Sequence, residues 1–372
     1  MISIIIAILV FGLIIAIHEF GHFIVAKMSG VKVNQFALGM GPAIFKFKKG
    51  ETLYALRLFP IGGFCSMEGE DESSDDSRAF GKKPVWKRIC IVAAGAFMNL
   101  VLGFILIIII VGREGSISTT QISGFKTNEI EKLCYGTVAV VQYDNKENIS
   151  FASSDLSGLN FMDEIVEING MHIFTTMDIT YQFQSDEDKI FDMKVKRDGK
   201  IIELEDVKFK SDANNSLVID FTVLPKDLTV GSVLGQSGKQ FGTYSRLIWI
   251  SFADLVQGKY KINDLSGPVG IIDTIGQVVD SEKDENDKID WSGLLDNVLF
   301  IAAFISINVG IFNLLPFPAL DGARIVFLII EAIRKKPIKP EKEGMIHFIG
   351  IAILLLLMAI VTFSDISKIL HR

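Results

Sequence analysis

The chain has 372 residues, 49% of them hydrophobic and 22% charged, with 28 Phe, 11 Met, a net charge of -7 and a mean hydropathy of +0.39. The apolar weight is clustered: residues 1–17, 89–112, 297–320 and 344–364 contain no Asp, Glu, Lys or Arg, and the last three are long enough to cross a hydrocarbon core of about 30 Å at about 1.5 Å per residue. This excludes a wholly soluble fold and a disordered chain; it also excludes a secreted disulfide scaffold, because Cys65, Cys90 and Cys134 are widely spaced and form no CxxC, reading instead as small buried apolar residues.

In chain order, residues 1–27 form the first span. The opening run lacks a basic n-region and a small-residue cleavage site, and its apolar character resumes as far as Ala26, so it reads as a retained helix. Residues 28–88 are a loop in which AIFKFKKGETLYALRLF (43–59) alternates apolar and basic residues before Lys49-Gly50, the chemistry of a β-hairpin. Its strands are apolar enough to press against or enter the membrane interface if other protein shields the backbone. The acidic tract at 68–80 reads as a solvated loop, and 89–112 is the second span. Residues 113–230 are strand-rich, with hairpin turns expected at Asn169-Gly170 and Asp198-Gly199. Within 231–291 the apolar run 245–256 is too short to span and reads as an interfacial amphipathic segment. SGPVG (266–270) reads as a turn and 281–290 as a solvated stretch. Residues 292–335 hold the third span and 344–364 the fourth.

Residues 113–291 contain 30 acidic and 18 basic residues, a balance of -12, whereas 27–88 has 11 basic against 7 acidic and 321–343 has 6 against 4. The positive-inside rule puts the two basic loops in the cytoplasm and the acidic middle outside, together with both termini. That acidic charge argues against nucleic acid or anionic lipid as the partner of the outer stretch, while the lipid bilayer surrounds the spans.

His18-Glu19-Phe20-Gly21-His22 reads HExxH inside the first span. A spacing of four puts the imidazoles on one helical face, where both can reach a single Zn²⁺, and Glu19 is placed to act as general base on the attacking water. Polar groups in a membrane helix are costly, so they mark function before structure. A zinc site needs a third protein ligand. Asp321 ends Asn313-Leu-Leu-Pro316-Phe-Pro318-Ala-Leu-Asp-Gly322, where the prolines break the helix. Spans one and three run in the same direction, so His22 and Asp321 can share a depth toward the cytoplasmic side. His347 is the competing ligand, while Asp296 and Asp365 fall at the outer ends of spans.

HEFGH in the first span, NLLPFPALDG in the third, SGPVG before it and FGKKPVWKRI leading into AAGAFMN together resemble the site-2 protease family of intramembrane zinc metalloproteases, in its bacterial PDZ-containing branch, of the regulator of sigma-E protease type. The resemblance implies a multi-pass α-helical membrane protein with four transmembrane helices, a membrane-associated β-hairpin and an extracytoplasmic PDZ-like β-rich domain. Carried over by position, His18, His22 and Asp321 would bind one zinc per chain and Glu19 would be the catalytic base. Asn313 and Pro316 would shape the site, with Asn313 holding the substrate backbone, and the hairpin around Tyr54 and Leu56 would take the substrate as an added strand. SGLNFMDEIVEINGMHI resembles the loop, strand and turn of a PDZ domain, with Met162 where that family usually has glycine, and Ala323 stands where a second glycine commonly follows the LDG.

The expected function is an intramembrane zinc metalloendopeptidase of the bacterial cell membrane. It would cut single-span membrane proteins, pre-cleaved by a site-1 protease, of the anti-sigma factor or signal-peptide remnant type. A membrane-anchored peptidase for soluble or misfolded chains and a non-enzymatic metal transporter or scaffold are the alternatives.

Overall fold

The computed structural model describes residues 2–70, 74–126, 139–140, 149–150, 157–211, 217–259, 265–284, 288–336, 338 and 340–371. Cys134, Asn214 and most of 113–156 lie outside the described residues. The chain divides into two compact units, one of residues 1–107 and 247–372 and the other of residues 108–246.

The first unit begins with α1 (Ile2–Met28), followed by β1 (Val33–Lys49), β2 (Thr52–Met67), a single 3-10 turn and α2 (Val85–Arg113). After α4 (Val230–Val256), which the chain enters from the second unit, it continues with α5 (Pro268–Ser281), α6 (Trp291–Asn313), α7 (Asp321–Arg334) and α8 (Pro340–Leu370). Among the described residues, four helices, α1, α2, α6 and α8, are long and apolar enough to cross a membrane, as expected of a multi-pass membrane protein. Buried side chains from α1 (Ala26), β1 (Val33), β2 (Met67), α2 (Ile91) and α7 (Leu328) form one core, and Ala7 of α1 packs with Ile275 and Leu294 of α5 and α6 in another.

The β1–β2 hairpin is longer than the 43–59 expected and folds back on itself. Phe45, Lys46, Phe47 and Lys48 pair with Leu56, Ala55, Tyr54 and Leu53, and Leu53–Leu56 also face Gln35–Leu38. Phe36, Ala37 and Leu38 in turn pair with Cys65, Phe64 and Gly63. Register shifts along both strands let two long segments supply four adjacent runs. Runs 53–56 and 35–38 are interior, and 43–49 and 63–67 are the edges.

Two readings of the 231–291 stretch change. The apolar run 245–256 is the second half of a 27-residue helix, α4; its first half, VGSVLGQSGKQFGTYS, is too rich in Gly and Ser to announce a helix from propensity. SGPVG is a helix start instead of a turn, with Gly267 at the N-cap and Pro268 next to it, where the missing N–H of proline costs nothing. Asp365 of α8, only 2% exposed, accepts hydrogen bonds from the backbone N–H groups of Gly267 (2.9 Å) and Gly270 (2.8 Å). It satisfies donors that a helix N-terminus otherwise leaves open.

The second unit is built on β3 (Ile117–Lys126), β4 (Ala139–Val140), β5 (Ile149–Ser150), β6 (Glu164–Ile168), β7 (Met171–His172), α3 (Thr176–Ser185), β8 (Ile190–Arg197), β9 (Lys200–Lys208), β10 (Lys210–Ser211), β11 (Leu217–Val218) and β12 (Phe221–Lys226). The main sheet runs β4-β12-β3-β6-β8-β9. Both expected turns form, with Asn169, Gly170, Asp198 and Gly199 all at positive φ, as type I′ geometry requires. Met162 has φ 69°, the left-handed conformation that glycine adopts without strain, so this chain keeps that bend with a side chain that disfavours it. Thr175 and Asp178 form a capping box at the start of α3. Asp178 is fully buried and lies 2.6 Å from the Arg246 guanidinium.

Candidate metal centre

HEFGH lies in the second half of α1, on an unbroken helix, because an apolar, charge-free run precedes it from Ile2. His18 and His22 therefore sit one turn apart, with ring centroids 4.8 Å apart and planes near perpendicular (83°). Asp321 reaches them from the third span, which breaks as Pro316 and Pro318 predict. α6 stops at Asn313, the chain turns through residues 314–320, and Asp321 opens α7. Ala319 takes φ 81° in that turn, a strained value for a residue with a Cβ, and its N–H donates to His347 Nδ1 at 3.1 Å. His347 thus clamps the loop that carries Asp321; it is not one of the three groups that converge. Gly322 completes the turn, since a Cβ there would overlap the carbonyl oxygens of Leu314 and Leu315.

Asp321 Oδ2 lies 3.1 Å from His18 Nε2 and 3.4 Å from His22 Nε2, and the two Nε2 atoms are 3.2 Å apart. Among the described residues this is the group of His, Cys, Asp and Glu side chains able to hold a metal ion. The donor chemistry fits zinc. His22 Nδ1 is 2.9 Å from the Ile91 carbonyl oxygen, which can only accept, so in the neutral imidazole Nδ1 carries the proton and Nε2 presents a lone pair. That lone pair faces Asp321 Oδ2, a buried carboxylate oxygen 3.4 Å away. A cation relieves this meeting of acceptors, and separations of 3.1–3.4 Å match the edge of about 3.3 Å that a tetrahedron with ligand bonds of about 2.0–2.1 Å requires.

The three groups and Glu19 line a cavity of ≈ 450 Å³. The β2 edge run also lines it, through Phe64, Cys65, Ser66 and Met67. Gly63 in that run brings the backbone against Glu19, where an added Cβ would lie 3.0 Å from Glu19 Cγ. Glu70 and Arg324 line it too and form an ion pair, and Glu70 also accepts from the Met67 N–H at 3.3 Å. Cys65 is buried in the wall and Cys90 is exposed on α2, contrary to the expectation that it is buried; neither belongs to the metal-capable group.

The remaining expected site residues are arranged differently. Asn313 is the last residue of α6 and half-buried, Pro316 is exposed in the turn, and neither lines the cavity. Tyr54 and Leu56 require a correction. Tyr54 pairs with Phe36 on one side and Phe47 on the other, and Leu56 with Leu38 and Phe45. Their run is flanked on both sides, so its backbone is not available to an incoming strand. Sequence reasoning ended the hairpin at 59 and so missed the 63–67 edge, where Gly62-Gly63 are poor strand formers. It also foresaw α2 as a span but missed its place at the site, where Gly95 lies against both imidazoles. A Cβ there would overlap His22 Nε2 and come within 2.8 Å of His18 Cε1. The available signal was a set of small and polar residues, Ala93-Ala94-Gly95 through Asn99, inside a charge-free span.

The sequence profile of peptidase family M50 matches residues 6–357. The regulator of sigma-W protease RasP of Bacillus subtilis is 31% identical, with 97% of each chain covered. The zinc metalloprotease RasP of Bacillus licheniformis is 31% identical over 97% of this chain and 98% of its own length, and that of Geobacillus kaustophilus is 28% identical over 98% of both.

Proposed function

Because the chain belongs to peptidase family M50, the site-2 proteases, and is an intramembrane zinc metalloprotease, we propose that it cuts peptide bonds within or at the edge of a substrate's transmembrane helix, using one zinc held by His18, His22 and Asp321. The observation that carries this reading is the convergence of His18 Nε2, His22 Nε2 and Asp321 Oδ2 within 3.4 Å of one another, beside a carboxylate, Glu19, that shares their cavity. The zinc would supply Lewis-acid chemistry, polarising the scissile carbonyl and easing deprotonation of the attacking water. Glu19 takes that proton and hands it to the leaving amine.

A substrate helix hides its carbonyls in its own hydrogen bonds, so it must unwind before it is cut. The 63–67 edge of β2 is the run that faces the cavity with a side not paired to β1, and in this reading the unwound segment adds to it as a further strand. The substrates are single-span membrane proteins already shortened by another protease, the active site faces the cytoplasmic side, and the turn from Asn313 through Pro316 shapes the approach to Asp321. The β-rich unit, PDZ-like in this reading, sorts substrates by the size of their outer part.

The test is a purified full-length protein presented with a single-span substrate. Glu19→Gln should keep its zinc and lose cleavage, Asp321→Ala should lose both, and His347→Ala should keep its zinc. Full zinc content in Asp321→Ala would remove that residue from the ligand set, and cleavage by Glu19→Gln would remove the proposed base.

A further inference from the structure

The two imidazoles are supported unequally by what is known of a zinc histidine. A ligand histidine that binds through Nε2 carries its proton on Nδ1 and needs an acceptor there to fix tautomer and ring orientation. For His22 that acceptor is the Ile91 carbonyl at 2.9 Å. For His18 the group facing Nδ1 is the side-chain amide of Asn99, with Nδ2 at 3.3 Å. Asn99 is fully buried in α2, its Oδ1 has no hydrogen-bond partner, and its own carbonyl oxygen is fixed by Ser306 Oγ of α6 at 2.7 Å. Ile91, Gly95 and Asn99 follow one another at four-residue spacing, so they form a single stripe along one face of α2. In that stripe a carbonyl supports one ring, a missing side chain makes room for both, and an amide meets the other ring.

The amide orientation decides what His18 can do. With Nδ2 toward the ring, Nδ1 is an acceptor and the proton sits on Nε2, aimed at Asp321, where no lone pair is left for a metal. Turned by half a rotation about its last bond, the amide offers Oδ1, the proton moves to Nδ1, and Nε2 becomes a ligand atom equivalent to that of His22. We propose that Asn99 is a positioning residue of the metal centre: its Oδ1 accepts the Nδ1–H of His18 in the zinc-loaded protein and thereby selects the tautomer that binds through Nε2. The inference rests on the ligand set His18, His22 and Asp321 proposed above.

The experiment measures zinc dissociation constants by chelator competition on the purified full chain in detergent. The variants are Asn99→Leu, close in shape and without an acceptor, and Asn99→Asp, which keeps an oxygen in place. Asn99→Leu should weaken zinc by about 10–100-fold, the usual effect of removing a partner of a ligand histidine, and Asn99→Asp should recover most of that loss. Nitrogen-15 spectra of the zinc-loaded wild-type protein, labelled at histidine, supply a readout that does not depend on how either variant folds. They should show His18 protonated at Nδ1 and bound through Nε2. Wild-type affinity in Asn99→Leu, equal loss in the two variants, or coordination of His18 through Nδ1 would each overturn the role of Asn99 while leaving the ligand set standing. Zinc binding that is absent from the wild type, or that survives His22→Ala unchanged, would overturn the ligand set itself.

Discussion

At the scale of single residues, Gly95 sets two physical effects against each other. Alanine in place of glycine inside a helix is ordinarily favourable by about 1 kcal/mol, but here the added methyl would occupy space held by the rings of His18 and His22. Those rings cannot simply swing aside, because His22 is tied to the Ile91 carbonyl and both face Asp321. Gly95→Ala should therefore lower both zinc content and thermal stability, as read by metal analysis and a melting curve; a more stable variant with full zinc would contradict the packing described. Outside the membrane segments, Glu68 accepts hydrogen bonds from Ser74 (2.6 Å), Asn34 and Lys32 (both 3.1 Å), which together hold its carboxyl down to about 2. A carboxylate depressed in the folded state contributes stability above its ordinary value of 4.5 and loses it as pH falls toward about 2. The gap in melting temperature between wild type and Glu68→Gln should be full above about pH 5 and shrink on acidification, and a gap that does not change with pH would contradict this. His18, Glu19 and His22 were legible because HExxH is local to one helix, and Asp321 because the prolines announce where a helix must break. Gly95 and Asn99 were not, since their meaning depends on which face of α2 meets α1, a long-range register that no local pattern encodes.

At the scale of elements, the broken third span and the folded-back hairpin do the positioning. The break leaves Asp321 at the first turn of α7, and two contacts hold that helix in place. Arg88 of α2 makes two bonds to Glu331 at 3.0 and 2.5 Å, and Arg324 pairs with Glu70. Such a half-buried pair costs most when one partner alone is removed. The hairpin could be foreseen from its alternation around Lys49-Gly50, but not its second pairing, because one register slip exchanges the faces of a strand and only the bulges reveal it. This moves the expected contact with substrate from Tyr54 and Leu56 to the 63–67 edge. A photo-crosslinking residue at Ser66 should capture a bound single-span substrate, and the same residue at Leu56 should not. Adducts at Leu56 with none at Ser66 would contradict strand addition at the cavity edge. Likewise α4 was half legible: its apolar half showed, and its Gly/Ser-rich half did not.

At the scale of the whole molecule, the charge pattern and the four apolar helices together set the expected topology. Lys49 and Lys335 lie in the basic loops and Asn214 in the acidic stretch, so cysteines placed at these positions, with the native cysteines replaced, should be labelled from opposite sides of the membrane in intact cells. Labelling of all three from one side would overturn the arrangement. The central claim is that water, zinc and Glu19 act on a bond inside a membrane-spanning segment, and the measurement that tests it most directly is the position of the cut. The full-length protein in lipid vesicles, given a single-span substrate shortened on its outer side, should yield products whose masses place the broken bond within or at the edge of the apolar segment. Those products should disappear with a zinc chelator and in Glu19→Gln. Products cut only in the soluble flanks, or an intramembrane cut that persists in Glu19→Gln, would contradict the account.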